Sequence, residues 1–129
     1  NGPKICYDSG MRVDQAVSVF GGAGVGSVLR YAVSTTGLLS PPLATLSVNL
    51  AGSFLLGYLA GYASSHSGTE RLLLLLGVGF CGGLTTMSTF ALDLAKFVQA
   101  GDWTRTVIYS FGTVLACLGL CLLGLKLAS

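Results

Sequence analysis

Four apolar runs, each long enough to cross a bilayer, limit this chain more than any other feature. They extend from about Ala16 to Val33, Leu43 to Ala63, Glu70 to Lys96 and Trp103 to Leu125. A helix spanning the hydrocarbon core needs about 20 apolar residues. Four such runs nearly use up a chain of 129 residues, so no separate soluble domain fits. Only 9% of the residues are charged, against roughly 25% in a soluble domain. The mean hydropathy is +0.75. Inside lipid the backbone must satisfy its own hydrogen bonds, which leaves helices or closed barrels. The alternating pattern of barrel strands is absent. The chain therefore reads as an all-α membrane protein of four transmembrane helices.

The net charge of +2 is small and dispersed, which excludes an electrostatic nucleic-acid surface. Cys81, Cys117 and Cys121 sit within apolar runs, where cysteine acts as a small hydrophobe. With Cys6 they form neither a disulfide framework nor a zinc pattern. Residues 1–10 are polar and precede Met11-Arg12-Val13. They lack the basic and apolar regions of a signal peptide. They read as an N-terminal extension or a cloning remnant, and residues 11–129 as one four-helix transmembrane domain.

Small residues recur four apart at Gly22 and Gly26, Gly57 and Gly61, and Gly79 and Gly83. Such pairs let helix backbones approach closely in a membrane. The stretch Gly22 to Gly26 has a superficial likeness to a nucleotide-binding loop. No strand precedes it and no acidic partner follows, so helix packing is the better account.

The positive charges do not choose an orientation. The N-terminus, middle loop and C-terminus would share Lys4, Arg12, Arg71 and Lys126, four charges, against Arg30, Lys96 and Arg105, three charges, on the other side. Orientation follows the Lys/Arg bias of the loops, and so small a bias predicts insertion both ways. Two oppositely inserted copies can pair about a two-fold axis in the membrane plane, with the second chain supplying the inverted repeat.

The middle of the third run holds Gly82 and Gly83, followed by the hydroxyls of Thr85, Thr86, Ser88 and Thr89. Paired glycines weaken a helix, and hydroxyls compete for backbone partners. The third helix is expected to break here, at mid-membrane. Irregular backbone at that depth is tolerated only where it is buried or lines a cavity, and such breaks are typical ion sites. Asn49 adds an amide in the second run, with donors and an acceptor. Tyr109, Thr113 and Cys117 fall at i, i+4 and i+8, forming one stripe of the fourth helix. Asp14, Glu70, Asp93 and Asp102 lie toward helix ends, and no Lys or Arg is central. A proton-driven transporter needs a titratable group on its path, so the pattern favours passive conduction. An anion would then be met by amide, hydroxyls and the positive edges of aromatic rings.

The segments Gly26 to Tyr31, Thr45 to Phe54 and Gly79 to Phe90, in this order and spacing, resemble the Fluc (CrcB-type) fluoride channels. The resemblance runs from about Met11 to the C-terminus. It implies an antiparallel, dual-topology homodimer with two pores, exporting fluoride passively across the cell's inner (plasma) membrane as a multi-pass protein. It implies a central structural sodium ion, Na+, held by backbone carbonyls of Gly82 and Thr85 from both copies. It places Asn49, Met87, Ser88, Phe90, Tyr109, Thr113 and Cys117 along the pore, and gives Arg30 a structural role. The expected partners are a second copy, the lipid bilayer and fluoride, with no nucleic acid. Met87 departs from the phenylalanine usual in the family, and Cys117 stands where a hydroxyl is common.

The alternative is a small multidrug-type dual-topology exporter, which would need a glutamate in the middle of the first helix, where none is found. A non-conducting subunit of a membrane complex would leave the hydroxyl cluster without a role. No nucleophile, base and orienting group converge in a pattern that suggests an enzyme.

Overall fold

A computed structural model gives the fold of residues 12–129. The extension at residues 1–10, with Lys4 and Cys6, lies outside the described residues. Among the described residues every regular element is a helix, without a strand: α1 is Val13–Thr35, α2 Pro41–Ser65, α3 residues 70–84, α4 Met87–Gln99 and α5 Trp103–Ala128. Together α3 and α4 form one span of 30 residues, Glu70–Gln99, so four spans are long and apolar enough to cross a membrane.

The starts and stops follow local chemistry. Pro41 and Pro42 open α2, where the missing amide hydrogens cost nothing. Asp102 caps α5 by accepting from the Arg105 amide at 2.9 Å, and its carboxylate pairs with the Arg105 guanidinium at 3.2 Å. Gly101, at φ 71°, makes the tight turn before it, a conformation in which a β-carbon is penalised.

Packing proceeds in pairs. α1 runs along α3, and α2 runs along α5 and also touches α3. The glycines at i, i+4 occupy both seams. A β-carbon at Gly79 would come within 2.8 Å of the Val19 carbonyl, and one at Gly22 or Gly26 would strike the Leu75 or Phe80 carbonyl. In the other seam, Gly57 faces the Cys121 carbonyl and Gly124 the Phe54 carbonyl. Van der Waals contact is what holds helices together in lipid, so these contacts contribute directly to stability.

A pair of substitutions on α5 separates seam from propensity. Gly119 has nothing within 4 Å, whereas a β-carbon at Gly124 would also lie 2.8 Å from the Tyr58 amide nitrogen. Alanine gains up to about 1 kcal/mol of helix propensity at either site, but overpacking costs about 1–3 kcal/mol. Gly124→Ala is expected to lower the detergent melting temperature, and Gly119→Ala to leave or raise it. Equal melting behaviour of the two would remove the seam as a source of stability.

The third span differs from its sequence expectation in two respects. Leu73–Cys81 is wound as a π-helix, a wider turn that usually appears only in short pieces, often at functional sites. The paired glycines are not themselves the break. Gly82–Leu84 is still α-helical, and the chain becomes extended only at Thr85 (φ −79°, ψ 155°) and Thr86 (φ −150°, ψ 110°). Gly83 instead admits the backbone of Ala23 on α1.

A single chain encloses little core. Between 11% and 33% of each span's most apolar stretch is buried. Phe20, Val28, Phe111, Leu115 and Leu122 point outward. Such a surface suits lipid or another apolar protein face.

Candidate functional site at the helix break

The break is held open by two side chains that take the amide hydrogens a continuous helix would use. In such a helix the Thr86 N–H would bond the Gly82 carbonyl. Here it donates to Asn49 Oδ1 at 2.7 Å, and Asn49 Nδ2 returns a bond to the Thr86 carbonyl at 3.3 Å. The Thr89 N–H would likewise bond the Thr85 carbonyl. It donates instead to Thr86 Oγ1 at 3.2 Å, as an N-cap for α4. The carbonyls of Gly82 and Thr85 thus lose their i+4 donors together. Thr86 Oγ1 also meets Thr89 Oγ1 at 3.0 Å and Ser88 Oγ at 3.2 Å. The Thr85 hydroxyl donates back to the Cys81 carbonyl at 2.9 Å, and its methyl sits where Gly52 leaves room.

On the other side of the break Arg30 Nε donates to the Gly83 carbonyl at 3.1 Å. A cation at the C-terminal end of α3 complements the helix dipole. This corrects the expectation that no Lys or Arg is central. Arg30, although near the end of α1, reaches the break because α1 lies alongside α3. It does not line the cavity described next.

A cavity of about 230 Å³ lies beside the break, lined by Asn49, Thr85, Thr86, Met87, Phe90, Thr113, Val114 and Cys117. Asn49 uses one amide hydrogen on Thr86 and has a second to offer. Thr113 Oγ1 is buried with no partner among the described residues. An unmet buried hydroxyl costs about 1–3 kcal/mol, which a ligand in the cavity would relieve. Phe90 is 4% exposed and its ring lies 5.2 Å from that of Tyr109, tilted by 46°. Met87 is 73% exposed and sits at the open rim.

Of the pore residues expected from the sequence, Asn49, Met87, Phe90, Thr113 and Cys117 are brought to this cavity. Ser88 and Tyr109 do not line it. Ser88 turns to Thr86, and Tyr109 backs Phe90 while its hydroxyl reaches the Pro42 carbonyl at 3.1 Å. The fourth-helix stripe is therefore split between a wall and a support. Thr86, the residue on which the break turns, is among the hydroxyls expected at the break but not among the expected pore residues; a threonine placed to N-cap α4 is its signal.

Asp93 also corrects the sequence reading. It was placed toward a helix end, but it is 2% exposed within the third span. Thr45 Oγ1 donates to Asp93 Oδ2 at 2.9 Å, and the Tyr109 hydroxyl lies 3.4 Å from the same oxygen. No cation pairs with it among the described residues. Its signal was the spacing of Phe90, Asp93 and Phe97, which puts all three on one face of α4 toward Tyr109. Asp93 does not line the cavity, so it is a carboxylate behind the wall.

Comparison with known proteins gives the family. Residues 17–125 match the family described as CrcB-like protein, Camphor Resistance (CrcB). The fluoride-specific ion channel FluC of Pyrococcus furiosus is 40% identical over 125 residues, covering 92% of this chain and 98% of that one. FluC of Novosphingobium aromaticivorans is 39% identical over 112 residues, covering 82% and 89%. FluC 2 of Staphylococcus saprophyticus is 32% identical over 117 residues, covering 89% and 97%. A match of this extent to the family, and of this identity to relatives of nearly the same length, means that the chain belongs to the CrcB family of multi-pass membrane proteins.

Proposed function

We propose that this chain is a fluoride-selective passive channel of the cell's plasma membrane, and that no residue in it has a catalytic role. The observation that carries the reading is the cavity at the broken span, a largely apolar wall into which Asn49 and Thr113 bring neutral donors. A small, strongly hydrated anion gives up water there to the spare Asn49 amide hydrogen, the unpartnered Thr113 hydroxyl and the edge of the Phe90 ring. The absence of a cationic side chain from the wall keeps the anion from being trapped. Relatives named as fluoride-specific channels, similar over most of their length, supply the identity of the anion.

Two copies inserted in opposite directions complete the path in this reading. The balanced charges, the exposed Met87 at the rim and the open space over Gly82 support it. Gly82 and Thr85 fit a central sodium ion, since both offer carbonyl oxygens freed from helix bonding, and hard cations prefer oxygen ligands. One chain gives only two such oxygens, so a two-fold partner has to supply others. The ion would contribute fixed positive charge between the two chains.

The test is release of potassium fluoride from liposomes containing the purified protein. With valinomycin balancing charge, fluoride is expected to leave at least about a hundredfold faster than chloride, a difference of ~2.7 kcal/mol in barrier. Because Asp93 is buried in the third span, the assay is repeated with a proton gradient in each direction. Rates set by the gradient, or equal release of chloride, would reject a passive fluoride channel and return the exporter reading.

Dual insertion has its own measurement. A single cysteine at Ser65, in a chain stripped of native cysteines, is expected to be labelled about equally from both sides of the membrane. Labelling from one side alone would reject the antiparallel dimer.

A further inference from the structure

The cavity is lined by two sulfur-bearing residues on different helices, neither of which the anion path needs as a donor. Met87 opens α4 and Cys117 lies midway along α5, and both line the same space of about 230 Å³. Cys117 is a free thiol. One turn before it, Thr113 brings an unpartnered hydroxyl oxygen, in a residue 5% exposed, to the same wall. Among the described residues no Lys, Arg, Asp or Glu lines the cavity.

We propose that this cavity is also a site for a soft monovalent cation of the Cu+ or Ag+ kind. The ion would be held by the Cys117 thiolate and the Met87 thioether, with Thr113 Oγ1 as a further oxygen, and its binding would plug the anion path. Thiolate and thioether ligands select such ions, whereas hard cations prefer oxygen. Met87 has three rotatable bonds, so its sulfur can swing from the rim toward the thiol. On binding, the S–H bond breaks, an S–metal bond forms and the proton leaves to water, so charge balances. One thiolate neutralises one monovalent ion, and the complex brings no net charge into an apolar wall. A divalent ion would leave a charge of +1 there, which is costly to bury. The carbonyls of Gly82 and Thr85 are a separate site, since they offer oxygen alone.

Plugging rests on the channel reading, but binding does not, so the test reads both. Silver ion is the probe, with full-length protein in chloride-free buffer. Equilibrium dialysis counts silver bound per chain, and fluoride release is measured in liposomes with and without it. Wild-type protein is expected to lose fluoride release about tenfold or more with silver, and to regain it with excess dithiothreitol. Cys117→Ser is expected to bind one silver ion fewer per chain, and its release rate, whatever its size, to be the same with and without silver. Met87→Leu keeps the thiol and is expected to bind silver about tenfold more weakly. An unchanged silver count in Cys117→Ser, or unchanged affinity in Met87→Leu, would overturn the two-sulfur site. Silver binding that depends on Cys117 in a protein that never releases fluoride would instead support the site and sink the channel reading.

Discussion

Replacing Asn49 by leucine is expected to abolish fluoride release. Leucine keeps most of the volume but removes both bonds to Thr86, at 2.7 and 3.3 Å. The Thr86 N–H is then left without a partner in a residue only 9% exposed, at a cost of about 1–3 kcal/mol. It can recover that cost by bonding the Gly82 carbonyl again, which heals the helix. The substitution therefore strikes twice, removing a donor from the anion and closing the geometry that frees two carbonyls. We expect at least about a hundredfold loss of flux, or ~2.7 kcal/mol in barrier. Asn49→Asp discriminates between the two effects. Its carboxylate still accepts from Thr86 N–H, so the break should persist, while its charge repels the anion. Flux should be lost in both variants. Retention of Na+ by the aspartate variant and its loss from the leucine variant would separate donor from clamp. An Asn49→Leu protein conducting at the wild-type rate would remove Asn49 from the path altogether.

Phe90→Ile is expected to cut flux by about tenfold to a hundredfold, or ~1.4–2.7 kcal/mol in barrier, while the dimer still forms. Isoleucine fills much of the space but has no ring edge to offer. It also gives up the tilted contact with Tyr109 at 5.2 Å, worth about 0.5–1.5 kcal/mol beyond burial. Tyr109 remains braced by Phe97, whose ring is 5.7 Å away and perpendicular, so the support behind the wall should survive. Met87→Phe is the companion variant. Met87 is exposed at the rim, where a ring adds an edge without displacing buried atoms, and this variant is expected to conduct. The measurement is fluoride release for both, with dimer content followed by gel filtration. Normal conduction in a dimeric Phe90→Ile protein would mean that ring edges play no part, leaving Asn49 and Thr113 as the donors.

The two sulfurs of the cavity and the buried Asp93 mark the limits of what can be read along a chain. Cys117 and Met87 are thirty residues apart, and nothing local relates them. Asp93 looks like an ordinary polar residue toward the end of a span. Only the helices packed around it, bearing Thr45 and Tyr109, turn it into a buried acceptor. Arg30 was placed at the end of the first helix, and its reach to Gly83 depends on how α1 lies against α3.

Sequence alone determined the spans, their number and the all-helical class, because lipid makes these questions of apolar length and backbone self-sufficiency. It also located the weak point of the third span to within a few residues, since glycine and hydroxyl preferences act locally. It marked the seams, because close helix approach in lipid requires small residues at fixed spacing. Tertiary structure decided where the helix opens and what keeps it open. Asn49 competes for the Thr86 amide from another helix, and a bond across thirty-seven residues has no period that a sequence can display. It also decided which polar residues face the cavity and which stand behind it, since that depends on the rotation of each helix against its neighbours.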